Sequence, residues 1–191
     1  VRFISMGRLL HWKGFHLSIQ AFAQANLPEA EYWLAGDGPE LEPLKQLAKD
    51  CNVADRVKFW GRLTREDTLE RLGESHVLVH PSLHDSGGWV CIEAMAAGRP
   101  VVCLDLGGPA IQVSDQAGFK SPAQDPTQAI SDMAIAMRKL AQDPELRVQM
   151  GRAGRQIVDE NFNWKVVGER LDQVYRDAVR REAIQRKAVA I

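Results

Sequence analysis

Short apolar runs alternate with amphipathic stretches along most of the chain. The apolar runs predict strands, at residues 2–6, 32–35, 57–60, 76–80 and 101–104, with a weaker one at 118–120. Between them, apolar residues recur at helical spacing, as after Gly14, where Leu17, Ala21 and Ala25 share one face. Alternation of this kind is typical of a parallel sheet whose strands are joined by crossover helices.

The amphipathic stretches predict helices after Gly14, from Pro39, after Thr64 and at residues 91–97, 130–140 and 144–158. Thr64 is a suitable N-cap, with Asp67 three positions later. A last helix is predicted after Asn163, which is another good N-cap. We therefore predict an α/β fold, a doubly wound, Rossmann-like parallel sheet of about six strands with flanking helices. Residues 1–162 would form this domain, and residues 163–191 a C-terminal helix.

The loops that follow the predicted strands are rich in glycine and polar residues. These loops are Gly7-Arg8, Gly36-Asp37-Gly38, Gly61-Arg62, residues 82–88 and Gly107-Gly108. In a doubly wound sheet, ligands bind at the carboxyl ends of the strands, near the switch in strand order. The sequence therefore predicts one ligand site to which several loops contribute.

Composition excludes several classes of protein. The net charge of −1 over 191 residues gives no basis for a nucleic-acid partner, and the longest apolar runs are too short to span a bilayer. The histidines show no metal-ligand spacing. Cys51, Cys91 and Cys103 form no C-x-x-C pair and are interpreted as buried thiols in a reducing compartment. Because the chain begins without Met and inside a predicted strand, we interpret it as one domain of a longer protein.

Residues 80–96 carry the most specific chemistry. A strand leads through a loop to Gly87-Gly88 and then to a helix, whose first N–H groups suit phosphate or sugar oxygens. Asp85 lies in the loop, and Glu93 lies in the helix among apolar and small residues. Either Glu93 faces a ligand or it finds a buried partner. The alternative is that Asp85 only caps the helix and Glu93 is solvated.

Two cations follow the first strand. Arg8 and Lys13 would neutralise a diphosphate at the same edge of the sheet as Gly87-Gly88. Considered alone, either cation is interpreted more simply as a solvated loop residue. The chain has neither a G-x-G-x-x-G motif after the first strand nor a Walker loop, which argues against a dehydrogenase or a P-loop enzyme.

Several segments in order resemble the C-terminal domain of the family-4 (group 1) glycosyltransferases. They are Gly7-Arg8-Leu9, Lys13-Gly14, Gly36-Asp37-Gly38-Pro39, residues 57–61, Pro81-Ser82, residues 93–102, Gly107-Gly108 and Phe162-Asn163-Trp164. The resemblance covers the chain up to about Tyr175. It implies one half of the two-domain GT-B fold and a retaining transfer of a sugar from a nucleotide-diphosphate-sugar donor to an acceptor.

The resemblance also implies roles for individual residues. Asp85 would contact the transferred sugar and Glu93 the ribose, while Arg8 and Lys13 would hold the diphosphate and stabilise the departing nucleotide. Arg8, Lys13 and Asp85 are thus the catalytic candidates. The remaining donor-binding candidates are Gly7, Gly36, Gly38, Arg62, Leu63, Ser82, Gly87, Gly88 and Trp89. Arg62 and Leu63 would lie against the base.

Enzymes of this family are usually metal-independent, so neither cofactor nor metal is expected. The partner would be the N-terminal, acceptor-binding domain of the same full-length chain, without which this domain would be inactive. The setting implied is the biosynthesis of polysaccharide or glycolipid. We expect a cytoplasmic location, with membrane contact only through the other domain.

The chain departs from the family pattern at two positions. Asp85 stands where Glu is usual, and Gly87-Gly88 where Phe-Gly is usual. Both changes bear on the preferred sugar or on the strength of the donor site. They also keep open an alternative, a degenerate, non-catalytic nucleotide-sugar-binding or scaffolding module. A sugar-nucleotide epimerase or a phosphorylase would share the architecture, but the residue set suits a transferase better.

Overall fold

The structure is a computed structural model that describes the backbone of residues 1–189 and the side chains of residues 1–180. Val1–Arg155 form one compact unit, and a second unit begins at Gln156. The first unit contains the sheet and all of the predicted ligand-site residues. The second contains the end of one long helix and the whole of the last.

Six parallel strands form a single sheet in the first unit. They are β1 (Arg2–Met6), β2 (Glu31–Ala35), β3 (Val57–Gly61), β4 (Val77–His80), β5 (Val101–Leu104) and β6 (Gly118–Ser121). The spatial order is β3-β2-β1-β4-β5-β6. The order reverses between β1 and β4, which is the switch point of a doubly wound sheet. The predicted fold class is confirmed.

Eight α-helices accompany the strands in the described chain. They are α1 (Phe15–Ala25), α2 (Leu41–Asp50), α3 (Arg65–Glu74), α4 (Trp89–Ala96), α5 (Gly107–Gln112), α6 (Pro126–Gln142), α7 (Pro144–Asn161) and α8 (Trp164–Val189). None of the described helices is both long enough and apolar enough to cross a lipid bilayer.

The structure differs from the helix predictions in several places, of which two affect the site loops. Residues 107–112 form α5, whereas the sequence pattern predicts a loop at Gly107-Gly108-Pro109. The helix predicted from Pro39 begins at Leu41, because Gly38 to Glu40 form a turn in which Leu41 N–H donates to the Gly38 carbonyl at 3.1 Å. Both N-cap predictions are confirmed. Thr64 Oγ1 accepts from Asp67 N–H at 3.1 Å.

The second confirmed N-cap is Asn163, which precedes α8. Asn163 Oδ1 accepts a hydrogen bond from the N–H of Val166 at 2.9 Å. Val167, Leu171 and Tyr175 recur at helical spacing along α8, and all three side chains are exposed. The second unit therefore presents an apolar stripe on its surface.

The central strands are covered on both sides. Every residue of β4 and β5 is buried, as expected for a parallel sheet with helices on each face. Phe3 of β1 packs edge-to-face on Phe22 of α1 with ring centroids 6.2 Å apart. This buried centre positions the carboxyl ends of β1 and β4, from which the site loops begin.

Candidate functional site

A cavity of about 560 Å³ opens at the carboxyl ends of β1, β2 and β3. Its lining includes these predicted site residues: Gly7, Arg8, Gly36, Gly38, Arg62, Leu63 and Glu93. The rest of the lining is Met6, Ala35, Asp37, Thr68 and Val90. The edge of the sheet where the sequence places a ligand is therefore concave, and three of the predicted loops meet there.

Glycine is required where the first two loops approach each other. Gly36 has φ +150°, and a Cβ on this residue would lie 1.8 Å from the backbone oxygen of Gly7. The same two loops, after β1 and β2, also meet at the following residues, where Leu9 N–H donates to the Asp37 carbonyl at 2.9 Å. Close contact between two backbones thus shapes the cavity floor, and a side chain cannot be accommodated there.

Glu93 projects from α4 into the cavity wall. Its side chain is 25% exposed, and Oε1 accepts a hydrogen bond from Nη1 of Arg65 at 2.8 Å. Arg65, the first residue of α3, is itself 74% exposed. The ion pair between Glu93 and Arg65 is therefore partly solvated, and it contributes little to the free energy of unfolding. Sequence reasoning did not identify Arg65, because nothing in the pattern brings α3 to α4.

Lys13 and Asp85 form a separate cluster outside the cavity lining. Asp85 Oδ2 accepts a hydrogen bond from Lys13 Nζ at 2.7 Å and lies 3.1 Å from His80 Nε2. Asp85 Oδ1 accepts the backbone N–H of Gly88 at 2.9 Å. The structure thus brings two of the three catalytic candidates into one ion pair and leaves Arg8 at the cavity.

This cluster keeps Asp85 ionised and His80 neutral. Burial opposes ionisation of Asp85, but the hydrogen bonds from Lys13 and Gly88 outweigh it and lower the pKa of the carboxyl to about 2. Burial lowers the pKa of His80, and the charge on Lys13 lowers it further, whereas Asp85 raises it. At neutral pH the cluster therefore contains one cation, one anion and one neutral ring.

The loop that carries Asp85 is also held from the side of α5. Gly108 N–H donates to the Asp85 carbonyl at 2.9 Å, and Gln112 Nε2 donates to the Gly87 carbonyl at 2.6 Å. A Cβ on Gly88 would be strained, because φ is +53°, and Gln112 Oε1, which would lie 2.3 Å away, would have to shift. Because the pattern predicts a loop in place of α5, this support could not be expected from the sequence.

The remaining candidates lie around the same loop and outside the cavity lining. Ser82 is buried, and its hydroxyl donates to the His84 carbonyl at 3.2 Å. Trp89 begins α4 with a side chain that is 69% exposed. An added Cβ on Gly87 would lie 3.0 Å from Trp89 Nε1, so the indole covers this glycine.

His80 is a functional candidate that sequence reasoning missed. It is the last residue of β4, and its side chain is 5% exposed. One signal for it is present in the sequence, a histidine at the carboxyl end of a buried strand. Its contact with Asp85 depends on how the intervening loop folds back.

The remaining His, Cys, Asp and Glu residues of the described chain suggest no metal site. Among the residues that the structure describes, no three His, Cys, Asp or Glu side chains lie together as a possible metal site. Cys91 and Cys103 are buried, as predicted, and Cys51 is partly buried. Burial raises the pKa of Cys103 to about 12. The two buried thiols are inert parts of the core.

Comparison with known proteins shows which family the chain resembles in sequence. The chain is 31% identical over 180 residues to glycogen synthase of Mycobacterium tuberculosis, covering 93% of this chain and 42% of that protein. It is 32% identical over 182 residues to a GDP-mannose-dependent monoacylated alpha-(1-6)-phosphatidylinositol monomannoside mannosyltransferase of Corynebacterium glutamicum, covering 91% and 46%. The chain thus spans less than half the length of these relatives.

Solved structures agree with the sequence relatives. Sucrose-phosphate synthase from Thermosynechococcus elongatus matches with a TM-score of 0.80 at 29% identity, covering 93% of this chain and 45% of that one. The six-stranded parallel sheet is of the Rossmann-like type found in GT-B glycosyltransferases. The family model described as glycosyl transferases group 1 matches residues 1–157. The chain therefore belongs to the group 1 glycosyltransferase family.

Proposed function

We propose that this chain is the C-terminal, donor-binding half of a retaining glycosyltransferase, which transfers a sugar from a nucleotide-diphosphate-sugar to an acceptor. The observation that carries the proposal is the cavity of about 560 Å³ at the carboxyl ends of β1, β2 and β3. Its size suits a nucleoside diphosphate. Glu93 offers a carboxylate to ribose hydroxyls, and Arg8 offers a cation to phosphate.

The chemistry follows from the placement of charge. Transfer breaks the bond between the anomeric carbon and the diphosphate oxygen, and leaves negative charge on the departing nucleotide. Arg8 at the cavity and Lys13 in the Asp85 cluster would stabilise that charge. A bond then forms to an acceptor hydroxyl, whose proton leaves with the nucleotide. Asp85 would contact the sugar from the loop that precedes α4.

The relatives support a sugar nucleotide as the donor. The mannosyltransferase of Corynebacterium glutamicum is GDP-mannose-dependent by name. An acceptor-binding domain, outside this chain, is the proposed partner, because the chain spans less than half of its relatives. We propose that the chain alone transfers nothing, that the full-length protein is cytoplasmic, and that any membrane contact is made through the other domain.

Calorimetric titration of the chain tests the donor site. Six compounds are titrated into wild type, Glu93→Gln and Glu70→Gln. They are the nucleotides UDP, GDP and ADP and the nucleotide-sugars UDP-glucose, GDP-mannose and ADP-glucose. Glu70 is a matched control, since it is 59% exposed and lies on α3 outside the cavity lining. We expect at least one nucleotide to bind wild type and Glu70→Gln equally, and Glu93→Gln roughly tenfold more weakly. Binding by none would refute the donor site.

Turnover tests the rest of the proposal. In the full-length protein, proton NMR of the product would show whether the sugar keeps the anomeric configuration of the donor. An inverted product would refute the retaining mechanism. Transfer by this chain alone would refute the assignment of half an enzyme.

A second candidate is a non-catalytic nucleotide-sugar-binding or scaffolding module. The observation that favours it is the direct pairing of Lys13 with Asp85 at 2.7 Å, outside the cavity lining. A Glu93→Ala substitution in the full-length protein distinguishes the two. A transferase should lose its turnover, whereas a scaffold should keep the interaction it provides.

A further inference from the structure

His80 contacts the predicted sugar-binding carboxylate from a fully buried strand in the middle of the sheet. It ends β4, which lies between β1 and β5 in the sheet. Its imidazole is 5% exposed, and Nε2 lies 3.1 Å from Asp85 Oδ2. The proposed chemistry assigns no role to this ring.

The hydrogen bonds to Asp85 leave little of its carboxylate unused. An ionised carboxylate offers about four acceptor positions. On Oδ2, Lys13 Nζ at 2.7 Å and His80 fill two. On Oδ1, the Gly88 N–H at 2.9 Å fills a third. One position remains, and it belongs to Oδ1.

The direction of the hydrogen bond from His80 follows from its protonation state. Burial keeps the imidazole neutral by lowering its pKa, so the ring carries a single N–H. Because the neighbouring Asp85 oxygen accepts only, that proton belongs on Nε2. Lys13 reaches the same oxygen through a flexible four-carbon stem, whereas the ring is fixed by the strand.

We propose that His80 is a positioning residue for the donor sugar. Its Nε2–H holds Asp85 Oδ2 in place, so that the carboxylate presents one free position, on Oδ1, to a single sugar hydroxyl. The inference rests on the proposed function, since it assumes that Asp85 meets the sugar. It also explains how the shorter Asp is used where Glu is usual in the family pattern: the carboxylate is held by the protein and makes one directed contact.

Substitutions at His80 test the proposal. His80→Leu removes the Nε2–H donor and His80→Asn draws the donor back from Asp85, while His80→Gln places an amide N–H near the original point. His76→Leu is the matched control, because His76 precedes the same strand at its opposite end and accepts the Arg2 N–H at 3.1 Å. Each protein is checked for cooperative unfolding, so that His80→Asn replaces His80→Leu if the latter does not fold.

The first readout is the titration of the Asp85 carboxyl carbon by 13C NMR. We expect the pKa of Asp85 to rise by a small amount above its value of about 2 in His80→Leu and His80→Asn, because Lys13 and the Gly88 N–H, which lower it most, are still in place. It should stay near the wild-type value in His80→Gln and His76→Leu. A purely structural His80 would lower stability in the His80 variants without this pattern of pKa values. An unchanged pKa of Asp85 in those of His80→Leu and His80→Asn that fold would overturn the inference.

The second readout separates the sugar from the nucleotide. UDP-glucose, GDP-mannose and ADP-glucose are titrated alongside UDP, GDP and ADP. We expect His80→Leu and His80→Asn to weaken binding of the nucleotide-sugar by roughly tenfold and to leave the free nucleotide unchanged. Equal weakening of both, or of neither, overturns the inference. If wild type binds none of the six compounds, the proposed function fails, whereas the NMR titration still decides whether His80 positions Asp85.

Discussion

The charge on Asp85 should stabilise the folded protein measurably. Asp85→Asn keeps the shape of the side chain and the hydrogen bond from Gly88 N–H, but removes the charge that attracts Lys13 at 2.7 Å. The Asp85 side chain is only 17% exposed, so water screens the interaction weakly. The substitution therefore isolates the electrostatic contribution of one carboxylate.

The magnitude follows from the pKa of this group. The pKa of Asp85 is lowered from 3.8 to about 2 in the folded protein. Because one pKa unit corresponds to about 1.4 kcal/mol, the ionised form contributes about 2 kcal/mol to the free energy of unfolding at pH 7. A lowered pKa means that this contribution is complete well above 3.8 and is lost as the pH falls toward 2. At pH 3, about 1 kcal/mol should remain.

Urea-induced unfolding, followed by circular dichroism at pH 7 and pH 3, measures the effect. We expect Asp85→Asn to lower the free energy of unfolding by about 2 kcal/mol at pH 7 and by about half as much at pH 3. Asp115→Asn is the control, since Asp115 is 93% exposed and its loss should change stability by less than about 0.5 kcal/mol. A difference at pH 7 below about 0.5 kcal/mol, or one that grows as the pH falls, would show that the Asp85 charge does not stabilise the fold in this way.

Three further predictions concern the backbone and the metal requirement. Gly36→Ala should lower the free energy of unfolding by more than about 2 kcal/mol, because its Cβ would meet the Gly7 oxygen at 1.8 Å. The control Gly73→Ala, whose Cβ would have no atom within 4 Å, should leave the urea midpoint equal to that of wild type or higher. Equal midpoints for the two variants would contradict this prediction. Thr64→Ala should cost about 1 kcal/mol through loss of the cap on Asp67 N–H, in the same urea assay; an unchanged midpoint would show that the cap is unimportant. Nucleotide affinity, measured calorimetrically with EDTA and again with Mg²⁺, should be the same, because protein cations are proposed to neutralise the diphosphate; affinity that requires Mg²⁺ would contradict this.

The inner strands β1, β4 and β5 are predictable because nearly all of their residues are buried. The predicted strands at residues 2–6 and 101–104 have the same boundaries as β1 and β5. A short, continuous apolar run is typical of a parallel strand that is covered on both faces. Helix starts are harder to predict. The helix predicted from residue 130 begins at Pro126, because Asp125 caps a polar first turn by accepting Thr127 N–H at 2.8 Å. Apolar periodicity does not detect such a turn.

The cavity is predictable for a topological reason. Loops at the carboxyl ends of neighbouring parallel strands must meet, so Gly7, Gly36 and Arg62 are expected together and do line one cavity. Pairing between side chains is not predictable in this way. Lys13 and Asp85 are 72 positions apart, and their contact requires the loop before α4 to turn back toward the end of β1.

The resemblance to the family implies a departure at Asp85, where Glu is expected. The fold adds a physical context for that departure, because the short carboxylate is held by Lys13, His80 and the Gly88 N–H. The proposed donor site, however, depends first on the cavity rather than on this cluster. Arg8 and Glu93 line the cavity, and they would contact the phosphate and ribose of one donor molecule.

A crystal structure of this chain soaked with the nucleotide-sugar that binds best would show whether the cavity is the donor site. We expect electron density for the nucleotide in the cavity, with the ribose hydroxyls within hydrogen-bond distance of Glu93 and a phosphate beside Arg8. We also expect that Arg65 has moved away from Glu93 or shares it with the ribose. Density at another surface, with the cavity empty, would contradict the proposed donor site.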